Sequence, residues 1–499
     1  MPKPDGRLTD DLDPSDRPPQ DACGVFGVWS PGEEVAKLAY YGLYALQHRG
    51  QESAGIAVSD GDRMVVYKEM GLVAQVFNEA TLNNLRGYIA VGHCRYSTSG
   101  SSVWANAQPT FRPIGDGGLA LAHNGNLINT LELAGLLDDH PDGQARMPVV
   151  TSDTGVLTEL FARPATARTA DERRDTIEET ALATLPQVRG AYSLVFMNER
   201  TLYAARDPQG FRPLVLGQLA TGWAVASETA ALEIIGARFV REIEPGELIT
   251  IDERGVRSRT FAVAQPRGCL FEYVYLARPD TTIAGRNMHA TRVEVGRRLA
   301  AEYPADADLV IPVPESGTPA AIGYAEGSGI PYGQGLVKNS YVGRTFIQPS
   351  QTIRQRGIRL KLNPLTGVVA GKRLVVVDDS IVRGNTQRAI VAMLREAGAA
   401  EVHVRISSPP VSWPCFYGID FATRAELIAG HESVAEIRAS IGADSLGFIS
   451  LDGLIGATTI PANQLCRACF DGEYPIPVEE AERGKYAREN GLALQEARR

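Results

Sequence analysis

Val375-Val376-Val377-Asp378-Asp379-Ser380-Ile381-Val382-Arg383-Gly384-Asn385-Thr386 runs from an apolar strand, through two adjacent carboxylates, into a short loop that opens a helix. A strand apolar at successive positions is covered on both faces, as in parallel sheets. Ligands of such sheets sit beyond the carboxyl ends of the strands, where Asp378 and Asp379 stand. The backbone N–H groups and hydroxyls of Ser380 to Thr386 can surround a phosphate, helped by the positive end of the following helix. Two neighbouring acids can hold ribose hydroxyls and a Mg²⁺ ion that bridges to pyrophosphate oxygens.

The surrounding chain has the grammar such a loop requires. From about Cys269 the pattern predicts a helix over 286–303, a strand over 308–313, a helix over 318–328 and the strand over 373–377. A helix over 386–397 and a strand over 401–406 follow. Strands alternating with helices indicate a parallel sheet covered on both sides. Upstream, residues 24–259 are denser in short strands, with amphipathic helices over 34–47, 130–138 and 152–163, so packed sheets with helices outside are expected there. The boundaries read as a leader 1–22, a first domain 23–259, a second domain 260–475 and a helical tail 476–499.

The chain has 499 residues, 44% of them hydrophobic and 22% charged, so a large core is possible without covalent staples. A net charge of -9 and the absence of a basic block argue against nucleic acid as a partner. No apolar run has the length of a membrane span. The leader is rich in Asp, Pro and Arg and has no apolar h-region, so it reads as a disordered segment of a cytoplasmic protein, not a secretory signal.

The first domain begins at Asp21-Ala22-Cys23-Gly24, a lone cysteine where the leader meets the first strand. Downstream lie Gln47-His48-Arg49-Gly50, Gly92-His93-Cys94-Arg95-Tyr96, Ala122-His123-Asn124-Gly125-Asn126 and Thr151-Ser152-Asp153-Thr154. Taken in this order, the set resembles the N-terminal-nucleophile (class II) glutamine amidotransferases. That resemblance implies an αββα sandwich and removal of residues 1–22 as a propeptide. Cys23 is then the nucleophile and its own freed amine the base. It further implies an oxyanion hole from the Asn124 side chain and the Gly125 N–H. Arg95 would take the glutamine carboxylate, Asp153 the ammonium, and Arg49 would help position the new amino terminus. His48, His93 and His123 read as hydrogen-bonded structural groups.

The Asp378-Asp379 stretch resembles the phosphoribosyl pyrophosphate (PRPP) signature of type I phosphoribosyltransferases. By that resemblance Asp378, Asp379, Ser380, Ile381, Val382, Arg383, Gly384, Asn385 and Thr386 bind PRPP. Pro312-Val313-Pro314-Glu315-Ser316-Gly317 is similar to the loop that takes the pyrophosphate, and Ser316 joins Asp378 and Asp379 at one Mg²⁺ per subunit. Lys338 and Lys361 bracket an Arg- and Gln-rich segment that suits a lid over an anionic substrate.

Six cysteines in a long chain with no secretory signal point to metal or catalysis before disulfides. Setting aside Cys23 and Cys94 leaves Cys269, Cys415 and the pair Cys466-Arg-Ala-Cys469, which could hold zinc or an iron–sulfur cluster. Spacing leaves that choice open. The Arg-Gly-Cys269 and Trp-Pro-Cys415 contexts are similar to those of the propeptide-bearing amidophosphoribosyltransferases, which implies one structural 4Fe–4S cluster per subunit.

The two resemblances together imply an α/β enzyme that hydrolyses glutamine and passes the ammonia to C1 of PRPP, the first committed step of purine synthesis. A homotetramer inhibited by purine nucleotides (AMP, GMP, ADP, GDP) is implied as well. The same residues admit two alternatives: another class II amidotransferase, and a catalytically inactive PRPP or nucleotide sensor. The Asp378-Asp379-Ser380 loop disfavours the first. The intact Cys23 and the lack of a basic extension disfavour the second.

Overall fold

Alternating side chains sort the strands of the first domain into layers. In a computed structural model of the chain, which describes residues 23–96, 102–115, 117–138, 150–163, 170–339, 361–419 and 424–478, thirteen strands form two antiparallel sheets. They are β1 (Gly24–Trp29), β2 (Ser53–Ser59), β3 (Met64–Met70), β4 (Ile89–Arg95), β5 (Thr110–Ile114), β6 (Gly117–Leu127) and β7 (Gly190–Met197). The rest are β8 (Leu202–Arg206), β9 (Val215–Gln218), β10 (Trp223–Ala226), β11 (Arg238–Glu242), β12 (Glu247–Asp252) and β13 (Gly255–Thr260). One sheet has the order β11-β9-β10-β1-β4-β2-β3, the other β13-β12-β8-β7-β6-β5.

Val25, Val91, Ala120, Ala122, Val195, Met197, Ile249 and Ile251 meet between the sheets. The residues between them in sequence point outward, as the two-residue period of a strand requires. Phe26 and Val28 pack under helix α1 (Val35–Ala45). Leu194 and Phe196 pack under α2 (Asp153–Ala162) and α3 (Ala170–Thr184). Helices therefore cover both outer faces of the sheet pair, as expected for an αββα sandwich.

The second domain is built on a four-stranded parallel sheet of β14 (Leu309–Pro312), β15 (Arg373–Asp378), β16 (Glu401–Ile406) and β17 (Ser445–Phe448), adjacent in that order. Val375 and Val377 face α4 (Met288–Glu302) and α5 (Thr318–Ser328). Leu374 and Val376 face α6 (Asn385–Glu396) and α7 (Val434–Ile441). The unbroken apolar run is thus buried from both sides.

Most boundaries fall within two residues of those predicted. The helix predicted over 286–303 starts later, because Arg286–Asn287 pairs with Thr282–Ile283 and the Asn287 side chain caps the helix by accepting from Ala290 N–H. The predicted leader, most of the tail and the segment between Lys338 and Lys361 lie outside the described residues. Among the described residues no helix is long and apolar enough to cross a membrane.

Candidate active sites

Strand β1 begins immediately after Cys23, and its register against β4 pairs Gly24 with Cys94 and so brings Arg95 and Tyr96 to the cysteine. The buried Cys23 thiol donates to the Tyr96 carbonyl at 3.1 Å, and Tyr96 N–H approaches the sulfur at 3.4 Å. Burial pushes the thiol up to about 11, against the pull of the Tyr96 hydrogen bond and the Arg95 charge. The thiol is therefore protonated at neutral pH and needs a base to become a nucleophile.

A small polar cavity beside the sulfur is lined by Cys23, Arg95, Gly125 and Asp153, together with Tyr96, Gln108, His123, Ser152 and Thr154. Asp153 stands at the first turn of α2, capped by Ser152, whose side chain accepts from Gly155 N–H. Its carboxylate accepts from Leu127 N–H at 3.2 Å and from Thr154 N–H at 2.7 Å, which fixes its direction. Asn124 is fully buried on the face of β6 that Ala120 and Ala122 turn toward the first sheet. Neither polar atom of its amide has a partner among the described residues. A buried, unpaired amide is costly and marks a group kept for something else. Gly125 has φ of +146°, and a Cβ there would lie 2.0 Å from the Ala191 carbonyl oxygen, so only glycine fits.

The histidines are held by structural bonds. His93 Nε2 lies 3.0 Å from the His123 carbonyl oxygen, His123 Nε2 lies 3.2 Å from that of Ala191, and His48 Nε2 lies 2.6 Å from Glu228. Gln108, which sequence reasoning did not select, ties the wall together. Its carbonyl accepts from His123 N–H at 2.8 Å and its amide donates to Thr154 Oγ1 at 3.0 Å. No local motif marks it.

Arg49 does not line this cavity. Its fully buried guanidinium bonds Glu228 through Nε and Glu272 through Nη2, the latter at 2.7 Å. Glu228 also accepts from Arg278 N–H at 3.0 Å and Thr281 Oγ1 at 2.6 Å, and Glu272 from Arg212 at 3.3 Å. These partners come from both sides of residue 260. The two carboxylates hold Arg49 charged despite its burial, and Arg49 with His48 keeps Glu228 well below the usual carboxylate range. Arg49 is a bolt between domains.

At the end of β15, burial and the neighbouring Asp379 push Asp378 well above the usual carboxylate range, while Ser316 hydrogen-bonds it. The two acids and Ser316 of the preceding loop are thus together. Asp378 accepts from Asp379 N–H at 2.9 Å and from the amide of Gln387, one turn into α6. Ser380 Oγ donates to Asp379 at 2.5 Å. Gly384, with φ of +79°, turns the chain into α6 and leaves Asn385 and Thr386 exposed at its first turn. Ile381 and Val382 bury their side chains in the cores, so they can offer a ligand only backbone. Arg383 is ion-paired to Glu426. Lys338 and Lys361 stand at the base of a short hairpin, where Leu336–Lys338 pairs with Leu362–Pro364 and Asn339 N–H donates to the Lys361 carbonyl at 2.8 Å.

Cys269, Cys415, Cys466 and Cys469 line one largely apolar cavity with Phe211, Arg212 and Tyr417. Gly268–Cys269 and Leu465–Cys466 are short parallel strands that place Cys269 beside Cys466, and Cys469 follows one turn later. Burial pushes the Cys269 thiol up to about 11. Among the described residues no three His, Cys, Asp or Glu side chains converge closely enough for a single metal ion.

Comparison with known proteins agrees with this two-part geometry. A glutamine amidotransferase domain model matches residues 93–234, and a phosphoribosyl transferase domain model matches residues 288–407. The chain therefore joins a glutamine amidotransferase domain to a phosphoribosyltransferase domain. The amidophosphoribosyltransferase of Mycobacterium tuberculosis is 63% identical over 483 residues, 95% of this chain and 90% of the relative. That of Bacillus subtilis is 48% identical over 462 residues, 91% and 94% of the two chains. A solved structure of the glutamine PRPP amidotransferase of B. subtilis, complexed with ADP and GMP, superposes with a TM-score of 0.85 at 46% identity, covering 93% of this chain and 100% of that one. The chain belongs to the amidophosphoribosyltransferase family.

Proposed function

We infer that the chain converts PRPP, glutamine and water to 5-phosphoribosylamine, glutamate and pyrophosphate, the first step of purine biosynthesis. The observation that carries this is the pairing, in one chain, of a cysteine-headed cavity walled by Arg95, Gly125 and Asp153 with a strand end that presents Asp378, Asp379 and Ser316.

The glutamine side chain enters beside Cys23, with its carboxylate on Arg95 and its ammonium on Asp153. Removal of residues 1–22 frees the Cys23 amine, whose ordinary pKa near 8 suits it to take the thiol proton and later give it to the leaving ammonia. The unpaired Asn124 amide and the Gly125 N–H receive the oxyanion. Water then releases glutamate from the thioester. In the second domain, Asp378 and Asp379 hold the ribose hydroxyls, and Ser380 to Thr386 hold the 5-phosphate with backbone N–H groups and hydroxyls. Lys338 and Lys361 at the hairpin base oppose the charge of the pyrophosphate. Ammonia attacks C1 and the C1–oxygen bond to pyrophosphate breaks. Asp378, Asp379 and Ser316 would hold one Mg²⁺, which when bound would supply charge to offset that of the pyrophosphate.

The four thiols fit one 4Fe–4S cluster. A tetrahedral zinc site needs sulfurs about 3.8 Å apart, whereas a cubane holds them farther apart around a larger volume. Four cysteines lining one cavity are a donor set that either group could use, and the family resemblance favours the cluster. The family resemblance also supports domains bounded at 23–259 and 260–475, a cytoplasmic homotetramer and inhibition by purine nucleotides. The ADP and GMP of the B. subtilis complex favour nucleotide binding here too.

The test is Cys23→Ala. Glutamine-dependent synthesis should fall to background, while synthesis from added ammonia stays within about twofold, since the PRPP site is separate. Equal loss of both activities would refute two independent sites.

A further inference from the structure

The β6 backbone at Gly125 is held from two sides, and one of them belongs to the other domain. On its own side Gly125 pairs with Tyr192 of β7 and lies against the Ala191 carbonyl. From the second domain comes the segment Cys415-Phe416-Tyr417-Gly418. The Phe416 carbonyl accepts from Asn126 Nδ2 at 2.9 Å, and the Tyr417 carbonyl accepts from Arg212 Nη2 at 2.9 Å. The Tyr417 ring stacks on Phe211 with centroids 4.4 Å apart. Gly418 has φ of +103°, and a Cβ there would stand 3.2 Å from Gly125 Cα and 3.1 Å from Arg212 Nη2. The segment starts at Cys415, on the wall of the thiol-lined cavity.

An oxyanion donor lowers the barrier only if it is in place before the charge develops, and small displacements are expensive. Gly125 is a flexible residue in a conformation that other residues rarely adopt, so something must hold it. We propose that residues 416–418 of the second domain are a positioning element for glutamine hydrolysis, holding Asn126 and the Gly125 backbone of β6 so that the oxyanion hole keeps its shape. Gly418 is required there because a side chain would press on Gly125. The inference rests on Gly125 being an oxyanion donor. It makes hydrolysis of glutamine dependent on a segment of the second domain that takes no part in binding PRPP.

Two variants test it in the whole enzyme cleaved before Cys23 and holding its cluster. Asn126→Asp keeps the size of the side chain but removes the donor to Phe416, and Gly418→Ala adds the obstructing methyl. Both should lower kcat for glutamine about tenfold, with KM for glutamine unchanged to about twofold. Ammonia-dependent synthesis and iron per chain should stay at wild-type levels. An unchanged kcat, a change confined to KM, or parallel loss of glutamine and ammonia activities would overturn the proposal. Asn126→Asp carries the test if Gly418→Ala fails to fold. Cys23→Ala measured alongside separates the two failures. If that variant still hydrolyses glutamine, the assignment of the site falls. If it is inactive while Asn126→Asp and Gly418→Ala are normal, only the positioning role falls.

Discussion

Replacing Glu228 by glutamine should show what the buried bolt between the domains is worth. Glu228 is fully buried and contacts Arg49, His48, Thr281 and the backbone of Arg278, while Arg49 reaches onward to Glu272. Glu228→Gln keeps the shape and removes the charge. Arg49 and Arg212 are then left to share Glu272 alone. Two unit charges about 3 Å apart at an effective dielectric of about 20 interact by about 5.5 kcal/mol. Removing one member of a buried pair costs about 3–5 kcal/mol, because the other is left uncompensated. We therefore expect a loss of about 4 kcal/mol.

The assay is denaturant unfolding followed by tryptophan emission, which reports on both domains through Trp29, Trp104 and Trp223 in the first and Trp413 in the second. Arg49→Met and the double variant complete a cycle. The double variant should be more stable than the sum of the singles by about 2 kcal/mol, since no charge is orphaned in it. Because Glu228 is held below its ordinary value, its contribution is present above about pH 4.5 and is lost as pH falls through its folded value. A loss below about 1 kcal/mol, or additive singles, would show the network to be no stronger than a surface pair.

Further expectations concern the other sites. His93, pushed down to about 3 by burial, stays neutral in the folded state while the unfolded chain takes up a proton below about pH 6.5. Stability should therefore fall by about 1.4 kcal/mol per pH unit from pH 6.5 downward, and His93→Gln should flatten that limb. Ring nitrogen shifts of His93 titrating near pH 6.5 would refute it. Iron and sulfide analysis of anaerobically purified protein should give about four of each per chain; zinc in their place would refute the cluster.

Packed sheets with outer helices and the parallel sheet were legible because both rest on local patterns: short apolar strands such as β7, buried along its whole length, and the doubly covered run of β15. The αββα layering itself came from the family resemblance. The acids of β15 were legible for the same reason, since strand, loop and helix are contiguous. Arg49 was misleading because it lies beside a motif in sequence but points to Glu272, more than two hundred residues on. Gln108, Gln387 and Gly418 carried no signal, because each acts through a partner that folding alone brings near. Helix α7 and strand β17 were missed because each is short and gives a weak pattern.

The parallel pairing of Gly268–Cys269 with Leu465–Cys466 joins the first and last parts of the second domain. During synthesis from the N-terminus, the glutamine domain can collapse while that domain is still emerging. The thiol-lined cavity, however, cannot close until Cys469 has left the ribosome, and the segment that rests on Gly125 starts from its wall. A nascent or truncated chain would then carry a glutamine site that is folded but unsupported. If residues 416–418 hold Gly125 as proposed, the glutamine site is completed only when the last part of the second domain has closed on the first.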